Sequence, residues 1–354
     1  MKDSIATVLL RSTRRLSSKL KFAAVSTLKN LPIFGVLYYS LISGAFWREQ
    51  RAVLAGREQY SRQLRELKST SALLRRNTHR LEKGLIMRPQ KPVFASNYIG
   101  ETVDIFGRAN SLNDYDRDEL QWSADVLAAF FDAVPEGLNT KVDASRHAFE
   151  RIDFSIAHQN RVPYKYACLP DRTITIADLE ILFQRRRSVR WFQDKPVDEH
   201  LLREAARLAA YAPSACNRLP YKFVIANGAP LAHQLAALAN GTPGWAHNIP
   251  CTVAVVGDLS AYFAEHDRHL IYIDAALASM QFMQACDALG LASCPINWPD
   301  IESNERAIRE FLRLSDSQRT VMLIAVGYAD PEGLIPYSEK KPVDLMAQFL
   351  TLSE

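Results

Sequence analysis

The chain has no CxxC pair, no GxGxxG run, no internal repeat and no low-complexity segment. Its five cysteines, Cys168, Cys216, Cys251, Cys286 and Cys294, stand singly. A zinc centre needs closely spaced Cys/His pairs, so no metal site is expected. His266 and His269 are three apart, but no second ligand pair follows. An odd number of thiols, mostly among apolar or small neighbours, points to buried free cysteines in a reducing cytoplasm. Without GxGxxG there is no sign of a Rossmann-type dinucleotide site. Charge of one sign is scarce as well: 43 Lys plus Arg against 39 Asp plus Glu leave a net charge of +4. That is too mild for a nucleic-acid binder, and the Arg-rich runs at 75–80 and 185–190 lack interleaved aromatics or a recognised module.

Long hydrophobic runs are also missing. The uncharged stretch Leu31–Trp47 contains Pro32, Gly35 and Gly44 and barely reaches the length of a membrane span. A signal peptide would set its apolar core nearer Met1. The favoured reading is an apolar helix packed on the rest of the protein. The other is a membrane-peripheral segment over residues 1–47, in which Arg11, Arg14, Arg15, Lys19, Lys21 and Lys29 meet the inner face of a membrane.

What is present is ample apolar content, 48% of 354 residues, enough for two domains or for one domain with a large extension. From Trp47 to Leu85, Leu54, Tyr60, Leu64, Leu67, Leu74 and Leu81 recur at helical spacings among charges, with Gly56 a candidate kink. A second amphipathic stretch, Arg117–Phe131, is closed by Pro135 and Gly137. Residues 1–170 thus read as a mostly helical region. After Asp171 helices and strands alternate. Thr175 with Asp178 forms a capping box, and Asp198 caps a second helix. Lys222–Ala226, Cys251–Val256 and Val321–Val326 read as strands. Ile273–Leu289 is apolar on nearly every face, as in a helix through a domain centre or a subunit interface.

Four segments of this second half carry chemistry. In Arg185–Phe192, the alternation of Arg186, Ser188 and Arg190 puts two guanidiniums and a hydroxyl on one side of an extended strand, suited to a phosphate and the polar edge of a heterocycle. Alone, such a run is more often a solvated basic face. Ala212–Pro220 is a proline-framed loop with Asn217 in it. Gly290–Asp300 follows the apolar helix as a turn. Gly327–Pro331 ends the last strand, and a polar tail with Lys340 and Lys341 follows.

In this order the four segments resemble the nitroreductase family, over roughly residues 172–350. The resemblance implies an α+β fold in which a central mixed β-sheet is wrapped by helices, a homodimer, and FMN at the dimer interface, within a flavin domain spanning 171–354. It places Arg186, Arg187, Ser188 and Arg190 on the ribityl chain, phosphate and pyrimidine edge of FMN, and Lys340 with Lys341 on the phosphate. Pro213, Ser214, Ala215 and Asn217 would lie against the partner's flavin. Pro295, Ile296, Asn297 and Trp298 would present a backbone N–H to flavin N5. Arg190 and Asn297 are the candidate catalytic residues, Arg190 by stabilising the negative charge that reduction places on the flavin. The implied activity is transfer of hydride or electrons from NADH or NADPH to a small organic acceptor, with the flavin carrying the chemistry.

The pattern is departed from in three places. Leu219 stands where many relatives have Gln, and Asn297 and Trp298 stand where many have an acidic residue or Gly. A bulky Trp298 beside the flavin would narrow the pocket. The helical region adds Leu73–Leu85, in which His79 and Glu82 share a face and Gly84 reads as a helix stop. Standard nitroreductases lack it, and the sequence assigns it no function. The competing reading is a non-catalytic flavin- or nucleotide-binding protein acting through a partner or a membrane surface.

Overall fold

The computed structural model describes residues 32–63, 65–154 and 160–350. The basic half of the 1–47 segment, and Leu64, lie outside the described residues. The described residues fall into two units, divided between Leu54 and Ala55. In the first unit, helix α1 (Pro32–Leu37) runs into a π-turn, Tyr38–Ser43. Ile33, Leu41 and Ile42 there are exposed. Among the described residues no helix is long and apolar enough to cross a membrane.

In the second unit the helical region builds its own core. Helices α2 (Trp47–Gln63), α3 (Ala72–Leu85), α4 (Ile99–Asn110), α5 (Arg117–Ala133) and α6 (Thr140–Glu150) follow one another. Leu74 and Leu81 of α3, Ile99 and Phe106 of α4, and Leu120, Leu127 and Phe130 of α5 meet in one buried cluster. The spacing of three and four along each helix is what brings them together. The helix break falls between Gln63 and Ala72, where Ser71 caps α3, and Gly56 sits inside α2 without ending it. A Cβ on Gly56 would come within 2.7 Å of Leu259, so this glycine permits a close approach. Gly84, read from the sequence as a helix stop, is the penultimate residue of α3, which ends at Leu85, and it lies beneath the Phe94 ring.

Beyond residue 171, α7 (Ile176–Arg185) carries the Thr175–Asp178 capping box and α8 (Glu199–Ala209) is capped by Asp198. Four strands follow with their helices: β1 (Tyr221–Asn227), α9 (Ala229–Ala237), β2 (Cys251–Asp258), α10 (Leu270–Ala288), β3 (Ala292–Asn297), α11 (Glu302–Leu312) and β4 (Gln318–Gly327). The sheet order is β1-β2-β4-β3 and every strand pair is antiparallel. The only parallel pairing among the described residues is the single bridge between Ser188 and Ser293, so the expected mixed character rests on that bridge.

Side chains alternate across the sheet. Ala254, Val256, Leu323 and Ala325 face a cluster that includes Leu235 of α9 and Ile308 of α11. Val253, Val255, Ile324 and Val326 face the opposite cluster, with Leu202 of α8 and Phe282 of α10. Helices therefore cover both faces, which an antiparallel sheet does not require. The all-apolar helix keeps one face uncovered in the single chain, with Ile273, Leu277 and Met280 exposed. All five cysteines are free, but only Cys251, Cys286 and Cys294 are buried; Cys168 is exposed and Cys216 half-buried.

Candidate functional site

Strand β3 is an edge strand, which tolerates Pro295 and leaves every second backbone N–H turned away from β4. The segment after α7 lies along this edge: Val189 N–H donates to the Ser293 carbonyl at 3.1 Å. Asn248 ties the segment down, donating to the Arg190 carbonyl at 2.7 Å and accepting from Phe192 N–H at 3.3 Å.

This pairing brings Ser188 opposite Ser293, next to Cys294. Burial pushes the thiol up from its ordinary value, while Arg190, the Ser188 hydroxyl and Arg186 act in the opposite direction. Arg185 is turned the other way, to Asp287 on α10 at 3.3 Å. Arg186, Arg187 and Arg190 are half-buried and have no carboxylate partner among the described residues. The Arg186 Nε is buried without a hydrogen-bond partner. A row of half-buried guanidiniums without counter-charge is costly unless an anion completes it.

Arg187 reaches the tail instead, donating to the Pro336 carbonyl at 2.8 Å and to that of Tyr337. A cavity of about 510 Å³ lies there, lined by Gln184, Arg187 and the tail from Ile335 to Lys340. Lys340 and Lys341 are exposed; the Lys340 ammonium donates to the Ser338 carbonyl at 2.9 Å.

The Pro213–Asn217 loop is held elsewhere. The Ser214 hydroxyl donates to Asp274 Oδ2 at 2.7 Å and accepts from Leu219 N–H at 2.9 Å. Ala215 N–H donates to the same carboxylate oxygen at 2.9 Å. Among the described residues no hydrogen bond or ion pair joins this loop to Arg186–Arg190.

In the Pro295–Trp298 segment, Pro295 and Asn297 are exposed and Ile296 is buried. Trp298 is also buried, packed in the cluster beneath the sheet with its indole N–H on Glu305. The indole expected to narrow a pocket is thus part of the core, because successive residues along a strand face opposite sides and the chain turns inward after Asn297.

Asp274 and Arg75 were not singled out from sequence. Asp274 carried a signal, being an acid near the start of an otherwise apolar helix. It is 3% exposed and anchors the loop from α10. Arg75 lies in the helical region and donates from Nε to the Asn217 carbonyl at 2.8 Å.

Residues 183–241 and 229–328 match the nitroreductase family model. The C-terminal half of this chain is a nitroreductase-family domain. Similar proteins include a Burkholderia lata protein provisionally named NADH dehydrogenase/NAD(P)H nitroreductase, 27% identical over 195 residues, covering 50% of this chain and 98% of that protein. A Stenotrophomonas maltophilia protein of the same name is 29% identical over 180 residues, covering 45% of this chain and 89% of that one. Among solved structures, a nitroreductase-type protein of Bacillus subtilis aligns with a TM-score of 0.44 at 22% identity, over 50% of this chain and 100% of its own. That half is a nitroreductase-like oxidoreductase domain.

Proposed function

We propose that the chain binds FMN and passes hydride or electrons from NADH or NADPH to a small organic acceptor. The observation that carries this reading is the set of half-buried cations at Arg186 and Arg190, without a carboxylate partner among the described residues, along the edge of β3, with the orphaned Arg186 Nε among them. That set fits a flavin mononucleotide: Arg186 and Arg187, with Lys340 and Lys341 on the tail, supply the charge a phosphate needs, and Ser188 supplies a hydroxyl. When bound, the flavin supplies the two-electron chemistry. Arg190 holds a fixed positive charge where negative charge develops, and Asn297, exposed on the edge strand, offers backbone and amide donors. In this reading Pro213, Ser214, Ala215 and Asn217 form a wall to the flavin site of the partner subunit, while Pro295, Ile296, Asn297 and Trp298 contribute main chain to the chain's own site.

Two copies complete the site in this reading. The exposed stripe Ile273, Leu277 and Met280 on α10, with Ile176, Ile181 and Phe183 on α7, is apolar surface that a homodimer would bury. Mass spectrometry of heat-released cofactor is expected to give FMN, and sedimentation of the yellow protein a dimer. FAD, or a monomer holding stoichiometric flavin, would overturn the respective half of this reading.

A further inference from the structure

The Ser214–Leu219 loop has an unusual backbone. Cys216, Asn217 and Leu219, none of them glycine, lie in the left-handed region at φ 54, 50 and 50. Left-handed backbone at non-glycine residues persists only where the surroundings over-determine it. On the side of the sheet, Asp274 receives Ser214 and Ala215, as described above. On the other side the support comes from the helical region. Arg75 of α3 lies with its guanidinium near the Trp122 ring, 5.3 Å from the centroid, and holds the Asn217 carbonyl.

Arg75 is itself fixed. Its Nη1 donates to Glu119 Oε2 at 3.1 Å, and the Glu119 side chain is fully buried. The other carboxylate oxygen of Glu119 accepts from the Tyr115 hydroxyl at 2.6 Å and from Ser71 N–H, the N-cap of α3, at 3.0 Å. Farther along the same two helices, the Thr78 hydroxyl donates to Ser123 at 3.1 Å and Trp122 Nε1 to Glu82 at 2.9 Å. Three polar rungs thus peg α3 to α5, and the first of them ends on the loop.

We infer that Arg75 is a positioning residue for the flavin site, and that through it the helical region sets the conformation of the Ser214–Leu219 loop. The inference rests on the reading of that loop as a flavin wall. Half of this chain already spans 98% of the length of the Burkholderia lata relative. Here the loop is buttressed by a segment 142 residues away in sequence.

Arg75→Lys tests it, because a lysine can still pair with Glu119 but lacks the planar Nε–H that reaches the Asn217 carbonyl. In the full-length protein, FMN binding measured by flavin fluorescence should weaken about tenfold, the scale of one charge-assisted hydrogen bond. Amide exchange at Ala215–Leu219 in flavin-free protein should quicken at the same time. Thr78→Val breaks another rung of the same helix pair and should lower Tm while leaving both readouts unchanged. Ser214→Ala monitors the loop from its other side. If Ser214→Ala weakens FMN and Arg75→Lys changes neither readout, the positioning role is overturned while the flavin-wall reading stands. If Ser214→Ala leaves FMN binding untouched, the flavin-wall reading falls and takes the role of Arg75 with it. A Thr78→Val protein that weakens FMN as much as Arg75→Lys would reduce the effect to general destabilisation and overturn the inference.

Discussion

The indole N–H of Trp298 donates to the Glu305 carboxylate at 2.5 Å, and both side chains are buried. Glu305 also faces the Arg319 guanidinium, with 3.5 Å between Oε2 and Nε. Trp298 is therefore a link between the end of β3 and α11. Replacing it by Phe keeps much of the apolar volume but removes a donor to a buried charge, which costs about 1–3 kcal/mol. The expected outcome is a lower Tm with an unchanged range of acceptors. A Trp298→Phe enzyme that reduced bulky quinones markedly faster, at unchanged Tm, would return the indole to the pocket.

Arg186 has the most exacting position of the basic row, since its Nε is buried and unpartnered. Arg186→Ala should loosen FMN by roughly ten- to a hundredfold, from the loss of about 1.5–3 kcal/mol in a charge-assisted contact. Equilibrium dialysis against FMN reads this directly. Arg185→Ala, which removes only an exposed partner of Asp287, should change the dissociation constant little.

The five thiols should separate by reactivity. Cys168 is exposed and should react first with an aromatic disulfide reagent at neutral pH, and Cys216 should follow. Cys251, Cys286 and Cys294 should react only after denaturation. Release of five equivalents from the native protein at a single rate would contradict the described burial.

Alkaline pH should unfold the protein in part through two of those thiols. Burial pushes Cys251 and Cys286 up to about 12. A folded value above the unfolded one means that the stabilisation is complete below the ordinary thiol range and is lost as pH rises toward the folded value. Stability should therefore fall between about pH 8.5, where the unfolded thiols ionise, and about 12. Denaturant titrations of Cys251→Ala should show a shallower slope over that window than the parent protein, whatever the absolute loss from the smaller side chain.

Where a structural feature depends on neighbours along the chain, the sequence displayed it. Thr175 and Asp178 cap α7 because they sit three residues apart, and β1, β2 and β4 follow runs of branched and apolar side chains. Strand β3 looks like a turn in the sequence. Its Pro295 and small residues carry weak strand propensity, and only the pairing with β4 makes it a strand. The Arg186, Ser188 and Arg190 alternation was visible as spacing, but the orphaned Nε was not, since burial comes from elements brought in from elsewhere. Trp298 was misplaced because a motif match locates a backbone and not the direction of a side chain. The contact of Arg75 with Asn217 spans 142 residues, and no local pattern announces it.

Gly56 gives the joint between the helical region and the sheet an engineering consequence. With no room for a methyl group against Leu259, α2 lies almost directly on the backbone that follows β2. Swapping in a C-terminal half that lacks this close approach at Leu259 would leave the joint overfilled or open. The helices would then meet a wall they do not fit, and the Asn217 loop would lose its buttress. In domain-shuffling terms the two halves are a single cassette, and a productive crossover has to carry Gly56, Arg75, Asn217 and Leu259 together.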